Sequence, residues 1–388
     1  MCSAESPQCY KHYNHGARCL QFRKPPHHRH TSIAKIRELL NRNRLESVAI
    51  EFARGDFTRG VSDLHQEELD HRAVQLPSMI SQSLALENTN SSGTFGGFVE
   101  LKMPGEARET ELTPDLIEFI QRWRTSGIKP ADHWRQKLRV RHPSSMAIKD
   151  KIQSLKAGIR EIERDEDYIK FRELERKELQ FTLGRGAKKA FDQMVETRNH
   201  MRGFLRDLHI FEARNRGAFG HVFAGSGLRA TSTSPSSNLD WALIEVPPDR
   251  VSENITPDGH YLRDSPIPAN LDGMPLFIHG QRSGYCKGKA HPLESAVLEG
   301  VVEDQVIKER LTYEHSILPI QGPRFSQAGD SGSLVFTDSY VVVGMLFADG
   351  NNHQISYFTH INHILDDIKH ITNATDVRLK VHRPRTPA

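Results

Sequence analysis

The stretch Phe325–Ser333, FSQAGDSGS, constrains this chain more than any other. A serine hydroxyl becomes a useful nucleophile only where a base takes its proton and fixed donors receive the negative charge of the attacked oxygen. Gly329-Asp330-Ser331-Gly332 meets the local half of that need. A glycine two residues before Ser331 lets the backbone turn so that the amides of Gly329 and Ser331 face one pocket, and Gly332 permits a tight exit. Those four letters alone also describe a surface turn. The apolar strand Ser333-Leu334-Val335-Phe336, the run Val341–Ala348 and the amphipathic segment Ile361–Ile371 argue instead for a strand-loop-strand unit closed by a helix.

A second candidate stands upstream. Asn238-Leu239-Asp240-Trp241-Ala242-Leu243-Ile244 sets an aspartate at the head of an apolar strand. Such an aspartate can orient a histidine and offset the charge that develops on it. In isolation it reads as a strand-start turn. Asp240 lies 91 residues before Ser331, a spacing that suits an acid on one β unit and a nucleophile on the next.

The pairing of DWALIEV with GDSGSLVF resembles the chymotrypsin-like (trypsin-like) serine peptidases. Gly93–Leu101, GTFGGFVEL, is similar to the glycine-rich strands that open their first barrel, and Phe277–Gly288, FIHGQRSGYCKG, to a strand-turn of the second. The resemblance covers about residues 93–113 and 217–372. It implies a mainly β fold of two six-stranded antiparallel barrels with the site between them, and no cofactor or metal. It implies Ser331 as nucleophile, Asp240 as orienting acid, and the Gly329 and Ser331 amides as oxyanion donors. Phe325, six residues before the nucleophile, falls at the floor of the substrate pocket, where an aspartate would have implied cleavage after Arg or Lys. The helical insertion resembles that of fungal members of the group.

The base that the resemblance calls for is missing. The family carries it after a short apolar strand, in an L-T-A-A-H-C context. Here Leu112-Thr113 stands at that place and Pro114-Asp115-Leu116 follows, as if a short segment had been removed. Five histidines lie between the opening strands and Asp240: His133, His142, His200, His209 and His221. None has the required context. A serine peptidase relative with little or no hydrolysis is expected, since triads that lose the base lose several orders of magnitude in rate.

The order along the chain is β, then helical, then β. Residues 1–92 read as an N-terminal extension, partly disordered, with one helix at Ser32–Arg54. Residues 93–113 and 217–260 read as an incomplete first barrel, 261–372 as the second barrel and C-terminal helix, and 373–388 as a tail. Between the barrel pieces, 114–216 is charged and helical. Ile148, Ile152, Leu155, Ile159 and Ile162 step by four and three, and a comparable stripe follows Gly184-Arg185-Gly186, which predicts an antiparallel helical hairpin.

Composition removes other classes. A net charge of +3 is too mild to call for nucleic acid, and no run of 18 apolar residues exists to span a membrane. Three of four cysteines crowd the first twenty residues and no apolar leader precedes them, so an intracellular, cytoplasmic protein with reduced thiols is expected. Cys9, His12, His15 and Cys19 have zinc-ligand chemistry without the paired spacing of a zinc finger, and read as a loose tail. The expected partner is a peptide or protein. If hydrolysis is lost, a non-catalytic interaction role for the helical hairpin or the former substrate cleft becomes the alternative.

Overall fold

The computed structural model describes residues 20–22, 57–59, 69–87, 89, 92–104, 122–179, 184–303, 306–320, 322–350 and 355–382. The helix expected at Ser32–Arg54, residues 105–113 of the expected first barrel and the Cys9–Cys19 cluster lie outside these residues.

The C-terminal half closes on itself. Strands β9 (Pro275–Gly280), β10 (Gly284–Ala290), β12 (Val306–Pro319), β13 (Leu334–Thr337), β14 (Val342–Gly350) and β15 (Ser356–His360) pair antiparallel. The ring runs β9-β10-β12-β15-β14-β13 and returns to β9, giving the expected six-stranded barrel. Its interior is Leu276, Ile278, Ile317, Phe325, Val335, Val343 and Phe358, all buried. β11 (Ser295–Glu303) extends the first half of β12 as a hairpin. Two short N-terminal strands also join this sheet: β1 (Leu20–Phe22) parallel to β11, and β2 (Phe57–Arg59) antiparallel to β14.

The first barrel is open. A five-stranded sheet runs in the order β4 (Gly93–Thr94), β3 (Ser83–Leu86), β6 (Arg139–Arg141), β7 (Ala218–Gly225) and β8 (Ala242–Glu245). β5 (Val99–Lys102) leaves that sheet and pairs with β16 (Asp376–Leu379). Three of these strands fall in stretches whose composition did not announce them: β3 in the extension, β6 in the insertion and β16 in the tail. Each is three or four residues long. Phe95, Phe98, Phe219 and Val222 of this half meet Phe277, Leu334 and Phe336 of the other, so the two sheets share one core.

The insertion is helical as its periodicity predicts. α1 (Ser145–Arg164) starts where the Ser144 hydroxyl accepts the Ala147 amide, and α3 (Arg185–Ala213) follows Gly184. The structure adds α2 (Glu166–Arg176), because extended Asp165 ends α1 and caps the next helix by accepting the Tyr168 amide. Ile148 and Leu155 of the seam pack on Leu208 and Phe211, together with Leu69, Ala73 and Val74. Glu163 of α1 receives Arg198 and Arg202 of α3, each at 2.7 Å. α4 (Ile361–Thr372) lays Ile364, Ile368 and Ile371 on Leu239 and Trp241, which flank Asp240. None of the described helices is long and apolar enough to cross a membrane.

Candidate active site

The loop that carries Ser331 is fastened from three sides. Asp330 is wholly buried, and its carboxylate accepts the amides of Arg282 at 2.8 Å, Ser283 at 3.1 Å and Gln327 at 2.9 Å. Burial pushes that carboxyl above its ordinary range, and these donors pull against the shift. The first two bonds tie the loop to the turn between β9 and β10, and the third closes the loop on itself.

Thr94 holds the loop from the first sheet. Its amide donates to the Ser331 carbonyl at 2.8 Å, and its hydroxyl donates to the Gly329 carbonyl at 2.9 Å. Gln281 Nε2 donates to the same Gly329 carbonyl at 2.9 Å. Two glycines make this approach possible. Gly329 and Gly332 have φ of 103° and 95°, in the region that favours glycine, and a Cβ at Gly332 would stand 2.3 Å from the Thr94 carbonyl oxygen. None of these bonds uses the amide of Gly329, one of the two expected oxyanion donors. The Ser331 hydroxyl donates to the Phe347 carbonyl at 3.1 Å.

Asp240 is positioned by bonds that cross between the barrels. Two residues earlier, fully buried Asn238 receives Arg310 on its side-chain oxygen, donates its side-chain amide to Thr312 and gives its carbonyl to the Thr359 hydroxyl. The Asn238 amide and the Ser237 hydroxyl both donate to Glu314 at 2.9 Å. Glu314 is itself fully buried, which pushes its carboxyl up to about 7. Behind Asp240, the Trp241 indole donates to Asp367 of α4.

Asp240 and Ser331 line the same cavity, of about 1010 Å³, whose other walls are mainly apolar and include Leu243, Ile244, Met345 and Ile364. The cavity lies between β5 and β8, on the open side of the first barrel. No histidine is among the described residues that line it. His142 is wholly buried against Phe95 and Phe219, where burial takes it down to about 3. His221 is occupied by Arg135 and Glu245. His133 lies against Trp134, and His200 and His209 ride on α3. Phe325 is 1% exposed and packs inside the second barrel, its ring filling the space that a side chain at Gly288 would need.

Sequence reasoning brings Ser331, Asp240, Gly329 and Phe325 forward but misses Thr94, Gln281 and Glu314. A signal for Thr94 existed, since clustered glycines in a strand mark a close backbone approach. Glu314 left a weaker one, an acid in the strand segment Tyr313–Leu318 that is otherwise fit for burial.

The sequence profile of peptidase family S64 matches residues 69–377. No curated protein sequence matches the chain. Similar solved structures include protease A of Thermobifida fusca, 16% identical with a TM-score of 0.29 over 43% of this chain and 79% of that one. Another is the chymotrypsin of Cellulomonas bogoriensis, 14% identical with a TM-score of 0.26 over 43% and 83%. A glutamic acid specific serine protease described as using a histidine triad in substrate binding is 13% identical, with a TM-score of 0.25. That match takes in 33% of this chain and spans 65% of the protease's length.

Proposed function

The chain belongs to peptidase family S64, and we propose that it binds an extended peptide beside Ser331 while hydrolysing it slowly or not at all. It is a serine peptidase-like protein. One observation carries the reading of slow turnover: the cavity that Ser331 shares with Asp240 has an acid, a nucleophile and an ordered loop, but no histidine among its described lining residues. Ser331 is the nucleophile of this reading, Asp240 the acid, and Gly329 and Ser331 the oxyanion donors. Phe325, expected at the floor of the substrate pocket, packs inside the second barrel, outside the described lining of this cavity. Without a base the serine hydroxyl keeps its proton at neutral pH, and the loop alone leaves only the residual catalysis that oxyanion donors and binding provide.

Full-length protein treated with a fluorophosphonate, and separately with a peptide ester, tests this directly. The expected rates are close to those of Ser331→Ala. Fast, stoichiometric labelling at Ser331 would sink the proposal of impaired hydrolysis.

A second reading, peptide binding without catalysis, is favoured by β2. That segment of the chain lies antiparallel on β14, with Arg59 opposite Ala348, Thr58 opposite Asp349 and Phe57 opposite Gly350. Ala348 follows Phe347, whose carbonyl accepts the Ser331 hydroxyl. An extended segment can therefore be held by main-chain bonds next to the serine, the mode by which sheet edges recognise peptides.

A further inference from the structure

We infer that Glu314 is a positioning residue worked by a proton. Protonated, it fastens the segment that leads to Asp240 onto the second barrel; ionised, it releases that segment. The inference goes beyond the reading of Ser331 and stands whether or not that serine turns over a substrate.

The junction that Glu314 occupies is dry yet polar. Ser237 and Asn238, in the chain between β7 and β8, meet Thr312 and Glu314 of β12 and Thr359 of β15, and all five are buried. Neutral donors alone hold the carboxyl. The Asn238 amide donates to one oxygen and the Ser237 hydroxyl to the other, each at 2.9 Å, with the Thr312 hydroxyl beside them. The cations around it are engaged elsewhere. Arg310 of β12 donates to the Asn238 side-chain oxygen at 2.9 Å and to Glu299 of β11 at 3.2 Å, and Arg229 pairs with Asp367 of α4. His315 and His360 follow Glu314 and Thr359 in sequence and so point to the opposite faces of their strands, where their rings meet. Glu299 adds a like charge. A buried carboxyl without a counter-ion keeps its proton, and this one is pushed up to about 7, by burial first.

The protonated group still suits its neighbours. One oxygen accepts the Asn238 amide, and the acid O–H donates to Ser237 Oγ once that hydroxyl has turned. The ionised group is better served by water, which reaches it only when the Asn238 amide and the Ser237 hydroxyl part from it. Opening and the loss of one proton to solvent are therefore one event. Because the closed form binds the extra proton, closure is complete below pH 4.5 and is lost as the pH rises through about 7. Asp240 lies two residues beyond Asn238, so the contact fixes the segment that carries it.

Amide hydrogen exchange of the full-length chain, resolved by residue from pH 5 to pH 8, tests this. Two neighbouring amides make the comparison. That of Asn238 donates to Glu314, whereas that of Leu239 donates to the Arg229 carbonyl at 2.9 Å, within the same connection between β7 and β8. Corrected for intrinsic rates, the protection of Asn238 should fall by on the order of tenfold per pH unit up to about pH 7 and then level off, while that of Leu239 does not fall. Glu314→Gln keeps the shape and has no proton to lose, so it should hold Asn238 protected across the range. Ser237→Ala removes a donor that favours the ionised form, and should move the levelling to higher pH. The carboxyl carbon shift of Glu314 in the unaltered protein should titrate with a midpoint of about 7, a reading that needs no variant to fold. A midpoint near the ordinary 4.5 overturns the proposal. So does a pH dependence that survives Glu314→Gln, or a loss of protection shared equally by Asn238 and Leu239, which would make Glu314 a contributor to general stability alone.

Discussion

Thr94 does two jobs with one side chain and one amide. It grips the carbonyls of Gly329 and Ser331, which bracket the buried Asp330. Replacing it with valine keeps the shape but removes the hydroxyl, leaving Gln281 as the remaining side-chain donor to the Gly329 carbonyl. A lost bond in a buried site costs about 1–3 kcal/mol. Thr94→Val should therefore lower the thermal midpoint and loosen the Ser331 loop in hydrogen exchange, while Thr94→Ser should restore both. Equal behaviour of the two variants would show that the hydroxyl is idle. The sequence made the serine legible because its turn chemistry is local. It hid Thr94 because the bond spans 235 positions, and a threonine in a glycine-rich strand carries no mark of its distant acceptor.

The helical hairpin shows what periodicity reveals at the level of an element. The isoleucine and leucine seam predicted α1, and the structure fills that seam from within the chain, with Leu208 fully buried against it. Leu208→Ala should destabilise the protein by about 2–5 kcal/mol, read as a shift of the urea midpoint with the same slope. A change below the usual range for a surface position would mean that the hairpin does not pack on itself in solution. The second-barrel strands were largely legible too, since Pro275–Gly280 and Leu334–Thr337 are apolar runs between turn residues. β10 was not. GYCKGKA has two glycines and two lysines, and only its pairing with β9 and β12 makes it a strand. β3 and β6 were missed for a related reason, being too short for an alternating pattern to stand out from polar neighbours.

Over the whole molecule, burial of histidines and acids sets a pH dependence. Burial holds His142 down to about 3, and burial together with nearby His315 and His363 holds His360 down to about 4, against an ordinary 6.5. The unfolded chain therefore takes up these protons first. Stability from both groups is complete above about pH 6.5 and is lost as the pH falls toward 4 and then 3. Glu314 has the opposite sign. Raised from 4.5 to about 7, it keeps its proton longer in the folded state, so its contribution is complete below pH 4.5 and lost as the pH rises through 7. His279 and His315, also lowered by burial, act with these histidines, and Asp330, also raised, acts with Glu314; the histidines outnumber the acids, so stability rises with pH between those values. Denaturation midpoints should rise from pH 5 to pH 6.5, and Glu314→Gln should steepen that rise. A flat profile, or one unchanged by the substitution, would show that burial does not govern these groups.

The pairing of β5 with β16 has a consequence for how the molecule is made. Val99–Lys102 is synthesised well before its partner Asp376–Leu379, with the second barrel and α4 encoded between them. The second barrel and α4 can assemble while that strand still waits with an open edge, a state that invites pairing with other nascent chains. A chain cut just before Asp376 would keep every candidate active-site residue, yet leave β5 without its mate.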